Sequence, residues 1–281
     1  MMSNQPDEME IYLFDLRGYL HLQNALTPAE VQACNDRLDE LLPMAPDEWD
    51  GYLHARPTHQ GSDTFQLQQI YEAGEPFERL IDHPSWIDKL KFFVGGEGTF
   101  DWYHGPLFID ENFAWVRGPG KATGMHSGGH EGAKRTQFRY RNGKFQCGQI
   151  NILIALTDMG PGDGTTMVVP GSHKSNFPHP RSADQRAGKR SPGLDNVEEA
   201  IEIHMKAGDA LLFVDAICHG SATRTNPGDR RILVYRYGPS WGNFRYGYQP
   251  SPELLARLTP ERRRMVQPQM LLPREPQRKK G

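Results

Sequence analysis

Several absences narrow this chain before any motif is read. Its 281 residues include three cysteines, Cys34, Cys147 and Cys218. So sparse and odd a set builds neither a disulfide framework nor a cysteine-rich zinc cluster. No apolar run approaches the ~20 residues that a membrane span requires. Neither sign of charge dominates, with 32 Lys and Arg against 35 Asp and Glu, a net charge of −3. That balance excludes a general affinity for nucleic acid or for an anionic membrane surface. The basic "REPQRKKG" at the end reads as a solvated tail. The first residues, "MMSNQPDEMEIY", are polar and acidic, which argues against a secretory signal. The expectation is a cytosolic, cytoplasmic protein with reduced thiols.

One further absence is local. The stretch "TGMHSGGHEG", residues 123–132, holds His126 and His130 with two glycines between them. A metal-binding histidine on a strand finds its natural carboxylate partner two residues on, where side chains return to the same face. Here that position is Gly128.

What is present is ordinary for a globular chain: 37% hydrophobic, 24% charged and 10% aromatic residues. The length suits one large domain, taken as 1–281. "YLHLQNAL" has strand character. "TPAEVQACNDRLDELLP" then opens a helix, with Thr27 as N-cap, Pro28 at the first helical position and Glu30 three after the cap. Val31, Cys34, Leu38, Leu41 and Leu42 keep helical spacing, and Pro43 ends it. A polar, irregular stretch is expected to about residue 66, then helix over 67–94, broken near Pro84.

From residue 99 the texture changes to short apolar or alternating runs separated by Gly, Pro, Asp and Asn. This is the punctuation of an all-β sandwich or barrel. "YRNGKF" at 140–145 carries the Asn-Gly hairpin signal, and "KAGDALLFV" reads as a turn feeding a buried strand. Residues 181–196 read as a surface loop, with a mobile lid as the alternative. The end, 251–273, offers a short helix and a Pro-rich tail.

Two segments stand out chemically: the one around His126, and "CHGSATRTNPGDRR" at 218–231, where His219 follows a buried-looking strand. Between them lies "MGPGDGTTMVVPGSHK", a Gly-rich turn, a strand and a second turn. Taken singly, most histidines are hydrogen-bonded core or surface residues, and His104, His179 and His204 are read so. A zinc site on His126 and His130 would need a helix to point both rings one way, and Gly128-Gly129 argues against one.

In combination these segments resemble the phytanoyl-CoA dioxygenase family of iron(II)/2-oxoglutarate oxygenases. "FDLRGYLHLQNALTPAEVQACNDRLDEL" at 14–41 is similar to the family's N-terminal strand and helix. "LTDMGPGDGTTMVVPGSHK" at 156–174 resembles its Pro-Gly-Ser-His turn, and "AGDALLFVDAICHGSATRTNPGDRRILVYRY" at 207–237 its last pair of core strands. The resemblance implies a mainly β protein: a double-stranded β-helix, a cupin-like jelly-roll core over about 99–240. Helices would flank it in the N-terminal third, over about 25–95, and a tail would follow at 241–281.

It also implies a site. His126 matches the first iron-binding histidine, His219 the distal one, and Arg230, eleven residues on, the arginine that holds the far carboxylate of 2-oxoglutarate. Ser221 matches a hydroxyl supporting the same carboxylate. Arg231 is the rival of Arg230, but neighbours on a strand point oppositely, and the spacing favours Arg230. Arg139 and His173 are candidate substrate contacts.

The family's third ligand is an aspartate where this chain has Gly128. Three readings follow. Glu131, His130 or Asp163 supplies the ligand, or water fills the place, and the enzyme hydroxylates an aliphatic carbon of a small molecule using O2. Chloride fills the place, as in the iron/2-oxoglutarate halogenases. Or metal binding is lost and the fold only binds. The first is favoured. The family name carries no weight for the substrate, because a fold does not fix a function.

Overall fold

In a computed structural model the described residues are 4–42, 44–56, 64–95, 105–120, 122–127, 137–182, 194–239 and 249–267. The chain opens with helix α1 (Glu8–Arg17), which the sequence reading did not expect. Only Phe14 of α1 is buried, so no apolar period marks it. Its signal is the capping box of Asp7 and Glu10, and Gly18 ends it in the left-handed conformation at φ 84°. Strand β1 (Tyr19–Leu22) and helix α2 (Pro28–Leu41) follow as expected. Thr27 Oγ accepts from Glu30 N, the Glu30 carboxylate accepts from Thr27 N, and Val31, Cys34, Leu38 and Leu41 are buried. Pro43 lies outside the described residues.

The irregular stretch holds strands instead: β2 (Trp49–Asp50), β3 (Leu53–Arg56) and β4 (Thr64–Gln68). The expected start of helix at residue 67 is corrected with them. Leu53 and Ala55 alternate inward, a period-two signal too short to read among polar neighbours. Helix α3 (Glu75–Glu78) and helix α4 (Ile87–Val94) flank the break around Pro84. Strand β5 (Phe108–Arg117) is one continuous element. Its Asp110-Glu111 reads as a separator, yet both are buried, as is Asn112 after them. Asn112 Oδ1 accepts from Tyr71 N, and Glu111 accepts from Gln68 Nε2.

The hairpin β6 (Tyr140–Arg141) and β7 (Lys144–Phe145) turns through Asn142 and Gly143 at φ 54° and 75°. Two positive angles are what a type I′ turn requires. There follow β8 (Ile150–Ala155), β9 (Thr166–Val169), β10 (Ile201–Ile203), β11 (Ala210–Val214), β12 (Cys218–Ser221) and β13 (Arg230–Gly238). Helices α5 (Pro252–Arg257) and α6 (Pro260–Val266) close the described chain, two short helices where one was expected.

An eight-stranded antiparallel sheet runs β1-β11-β8-β13-β5-β4-β3-β2, and a three-stranded sheet runs β10-β9-β12. This is the expected mainly β, jelly-roll class. The large sheet has two different faces. Tyr235 and Tyr237 of β13 point outward and donate their hydroxyls to the carbonyls of Phe77 and Ile81, so the helical segment covers that face. Arg230, Ile232, Val234 and Arg236 alternate with them and line a cavity on the inner face.

Candidate active site

The inner face is ordered in rows by strand register. Arg230 is the register partner of Arg117, Ile232 of Trp115, Val234 of Phe113 and Arg236 of Glu111. On the other flank, Val234 meets Leu153 and Arg236 meets Asn151. One end is therefore cationic, the middle apolar and aromatic, and the far end ion-paired. The space enclosed with the small sheet is about 460 Å³, including its open mouth.

The small sheet brings in the histidines. His219 lies within β12, two register positions from the Ser221–Thr166 pair and on the cavity side with both. His126 is bridged to it: each residue's N–H donates to the other's carbonyl, both at 2.9 Å. Their ring centroids are 4.0 Å apart. The glycine between His219 and Ser221 is required by this approach. A Cβ on Gly220 would meet the Thr123 carbonyl oxygen at 2.6 Å and Leu194 at 2.5 Å.

Both imidazoles are oriented alike. His126 Nδ1 lies 2.9 Å from the Gly124 carbonyl oxygen and His219 Nδ1 lies 2.8 Å from that of Ile217. A neutral ring whose Nδ1 faces a carbonyl carries its proton there, which makes Nε2 the acceptor atom of each imidazole. Burial, and then the neighbouring His126, push His219 down to about 3, so it is neutral at ordinary pH. That is the donor form and backbone support of a metal-binding histidine pair. The residues present thus fit a metal held on its histidine side. Among the described residues no third His, Cys, Asp or Glu joins them.

Arg230 is buried at the cationic end. Its Nε meets Met159 Sδ and its Nη2 donates to Thr166 Oγ1, both at 3.2 Å. No carboxylate pairs with it among the described residues. Burial, with Arg117 and Arg224 nearby, pushes its guanidinium well below the usual arginine range. Arg231 turns away from the cavity, to Asp39 at 2.8 Å and Asp229 at 3.0 Å. Ser221 lines the cavity beside Arg230.

The other expected residues lie elsewhere. Asp163 does not line the cavity. Its carboxylate is held by Arg224 at 3.2 Å, the Gly160 N–H at 2.9 Å and Asn226 Nδ2 at 3.0 Å. His173 bonds the Asp15 carbonyl through Nε2 at 3.0 Å and stands edge-on to Phe138. It lines a separate surface groove with Lys174 and Gln137, and burial pushes it down to about 4. Arg139 is exposed and donates to Gln137 Oε1. Neither His173 nor Arg139 lines the cavity, and the turn carrying His173 docks on α1. Gly128, His130 and Glu131 fall outside the described residues.

Sequence reasoning missed the rest of the lining. Arg236 sits between Glu111 at 3.2 Å and Asp215 at 3.9 Å, and Asn151 Nδ2 donates to Asp215 Oδ1 at 2.9 Å. A signal for it exists in the chain, since Arg236 shares strand parity with Arg230. Trp115, Phe113 and Phe213 read only as core residues. The buried indole N–H of Trp115 has no partner among the described residues.

Comparison with known proteins decides the family, for residues 14–232 match Phytanoyl-CoA dioxygenase (PhyH). The chain belongs to the phytanoyl-CoA dioxygenase family. It is thereby an oxidoreductase of the iron(II)- and 2-oxoglutarate-dependent dioxygenase type. It is 32% identical over 89 residues to dioxygenase cdmD of Talaromyces verruculosus, covering 32% of this chain and 24% of that protein. The match thus spans about a quarter of that relative's length. It is 24% identical over 239 residues to ectoine dioxygenase of Halomonas elongata, 80% of this chain and 67% of that one. The fold is similar to HygX from Streptomyces hygroscopicus with nickel and 2-oxoglutarate bound. There the TM-score is 0.69 at 23% identity, covering 89% of this chain and 94% of the other. This chain carries Gly128 where the family resemblance places an aspartate.

Proposed function

We propose that the protein hydroxylates an aliphatic carbon of a small organic molecule, with His126 and His219 holding iron(II) and Arg230 and Ser221 holding 2-oxoglutarate. Iron(II), when bound, supplies the activation of dioxygen coupled to oxidative decarboxylation of 2-oxoglutarate to succinate and carbon dioxide. The chain's own part is position and charge. The Nδ1 bonds to Gly124 and Ile217 aim both Nε2 lone pairs. Arg230 offers a planar guanidinium to a carboxylate. Phe113, Trp115, Phe213, Leu153 and Val234 keep the middle of the cavity apolar, which suits a carbon framework. Asn151 and Arg236 give a substrate's polar groups hydrogen bonds at the far end.

The observation that carries this reading is one cavity with two unlike ends. A buried arginine that no carboxylate contacts among the described residues shares the cavity with a bridged pair of imidazoles whose Nδ1 atoms face backbone carbonyls. Its test is consumption of 2-oxoglutarate by the iron(II)-reconstituted protein, read as succinate formed. No succinate from wild type, at any iron load, overturns it.

Gly128 supports a second reading, halogenation, with chloride taking the place that an aspartate side chain vacates. The two differ in the group delivered to the substrate carbon, hydroxyl or chlorine. The chloride dependence of 2-oxoglutarate binding separates them without a known substrate.

A further inference from the structure

The cationic end of the cavity contains more charge than one carboxylate contact uses. Arg117, Arg224 and Arg230 are exposed by 2%, 5% and 3%. Arg117 and Arg230 are direct register partners on β5 and β13. Like charges placed opposite on adjacent strands repel unless something compensates them. Among the described residues, Asp163 answers Arg224. Asp195 acts on Arg117 from a distance while bonding Thr223. Among the described residues, no carboxylate contacts Arg117 or Arg230. Burying unpaired cations is costly, so an anion is the missing partner.

Arg117 also fixes the hydrogen-bonding sense of Ser221. Arg117 Nη1 donates to Ser221 Oγ at 2.7 Å, and Thr123 N donates to the same oxygen at 2.8 Å. A hydroxyl has two lone pairs and one hydrogen. With both lone pairs occupied, the Ser221 O–H has to be a donor, and Ser221 lines the cavity. The Arg117 Nη2 is anchored on the Gly164 and Ala222 carbonyls at 2.8 and 3.2 Å, so the guanidinium has little freedom.

We propose that Arg117 is a positioning residue for the carboxylate end of the site: it makes Ser221 an obligate donor and adds a second buried cation, so that the cavity selects a dicarboxylate 2-oxo acid over a monocarboxylate one. This rests on the reading of the cavity as the 2-oxoglutarate site. Arg117 does not line the cavity and acts through Ser221 and through its field.

The test is calorimetric titration of the iron(II)-loaded protein under anaerobic conditions, without turnover. Two ligands are compared: 2-oxoglutarate, and 2-oxopentanoate, which has a methyl group in place of the distal carboxylate. Wild type is expected to prefer the dicarboxylate by roughly 100-fold, the scale of a buried charge-assisted contact. Arg117→Gln is expected to cut that preference at least about tenfold, through weaker 2-oxoglutarate binding alone. Arg117→Lys keeps the charge but loses the two-armed fork, so it is expected to retain more of the preference than Arg117→Gln does. An unchanged preference in Arg117→Gln overturns the proposal. So does an equal loss for both ligands in both variants, because that marks a structural tie only. A wild type that binds neither ligand, or both alike, removes the underlying cosubstrate reading, and this is seen before any variant is made.

Discussion

His126 and His219 exchange both of their backbone hydrogen bonds, each at 2.9 Å, so the two imidazoles are held side by side by main chain alone. Their closeness therefore does not depend on a ligand between them. What depends on a ligand is the use of their Nε2 lone pairs. Iron content after anaerobic reconstitution is expected to fall in His126→Ala and in His219→Ala, with folding retained. Equal iron in wild type and both variants would sink the assignment.

Arg230 and Arg231 are neighbours with opposite surroundings, which makes them a matched pair for mutation. Truncating one partner of a buried, hydrogen-bonded charge pair costs about 2–5 kcal/mol, so Arg230→Ala is expected to weaken 2-oxoglutarate binding at least tenfold. Arg231→Ala removes partly exposed pairs to Asp39 and Asp229 and should leave that affinity within about twofold. Titration calorimetry of both variants checks the contrast, and the reverse order would place the cosubstrate on the other face of β13.

Gly128 is the position at which the hydroxylation and halogenation proposals part. For wild type, 2-oxoglutarate affinity independent of chloride is expected. If chloride instead tightens binding, and Gly128→Asp abolishes that dependence while iron stays bound, the halogenase reading replaces the first.

Asp163 gives a test of where the third ligand is not. Asp163→Asn should leave iron content unchanged while lowering stability, because Arg224 then keeps a buried charge with a weaker partner. Burial works against the ionised carboxylate, but the Gly160 N–H, Asn226 and Arg224 outweigh it, so its titration lies below the usual carboxylate range. The stabilisation is therefore present above the ordinary carboxylate pKa and is lost as pH falls through the lowered folded value. Urea midpoints of wild type and variant should converge on acidification. Iron loss in Asp163→Asn would instead return this carboxylate to the metal site.

Gly220→Ala puts a methyl group against the Thr123 carbonyl and Leu194. A cost of about 1–3 kcal/mol is expected for such overpacking, together with weaker iron binding as the His126 strand is pushed off. A thermal scan and metal analysis check it; an unshifted melting temperature would mean that the two segments separate freely.

Much of this was legible in the chain. Thr27 and Glu30 mark a helix start because capping is chemistry between near neighbours. Asn142-Gly143 marks a hairpin for the same reason. The jelly-roll class and the pairing of His126 with His219 came through the family resemblance, since nothing local joins segments so far apart. The misses share a cause. Asp110 and Glu111 read as a break between runs because the partners of Glu111, Gln68 and Arg236, are distant in the chain or on another strand. His173 is placed by a contact of the same distant kind, its ring bonding the Asp15 carbonyl of α1. Arg117 ends an apolar strand and gives no sign that it meets Ser221.

The order of the large sheet has a kinetic consequence. β1 pairs with β11, and β5 with β13, so almost every neighbour in the centre of the sheet closes a very long loop. Chains dominated by such distant pairings fold slowly, because loop entropy is lost before the contacts form. The histidine bridge and the arginine end both belong to these late closures. Under the proposed assignment iron and 2-oxoglutarate would meet a finished site, and their binding should slow unfolding without accelerating the refolding of the chain.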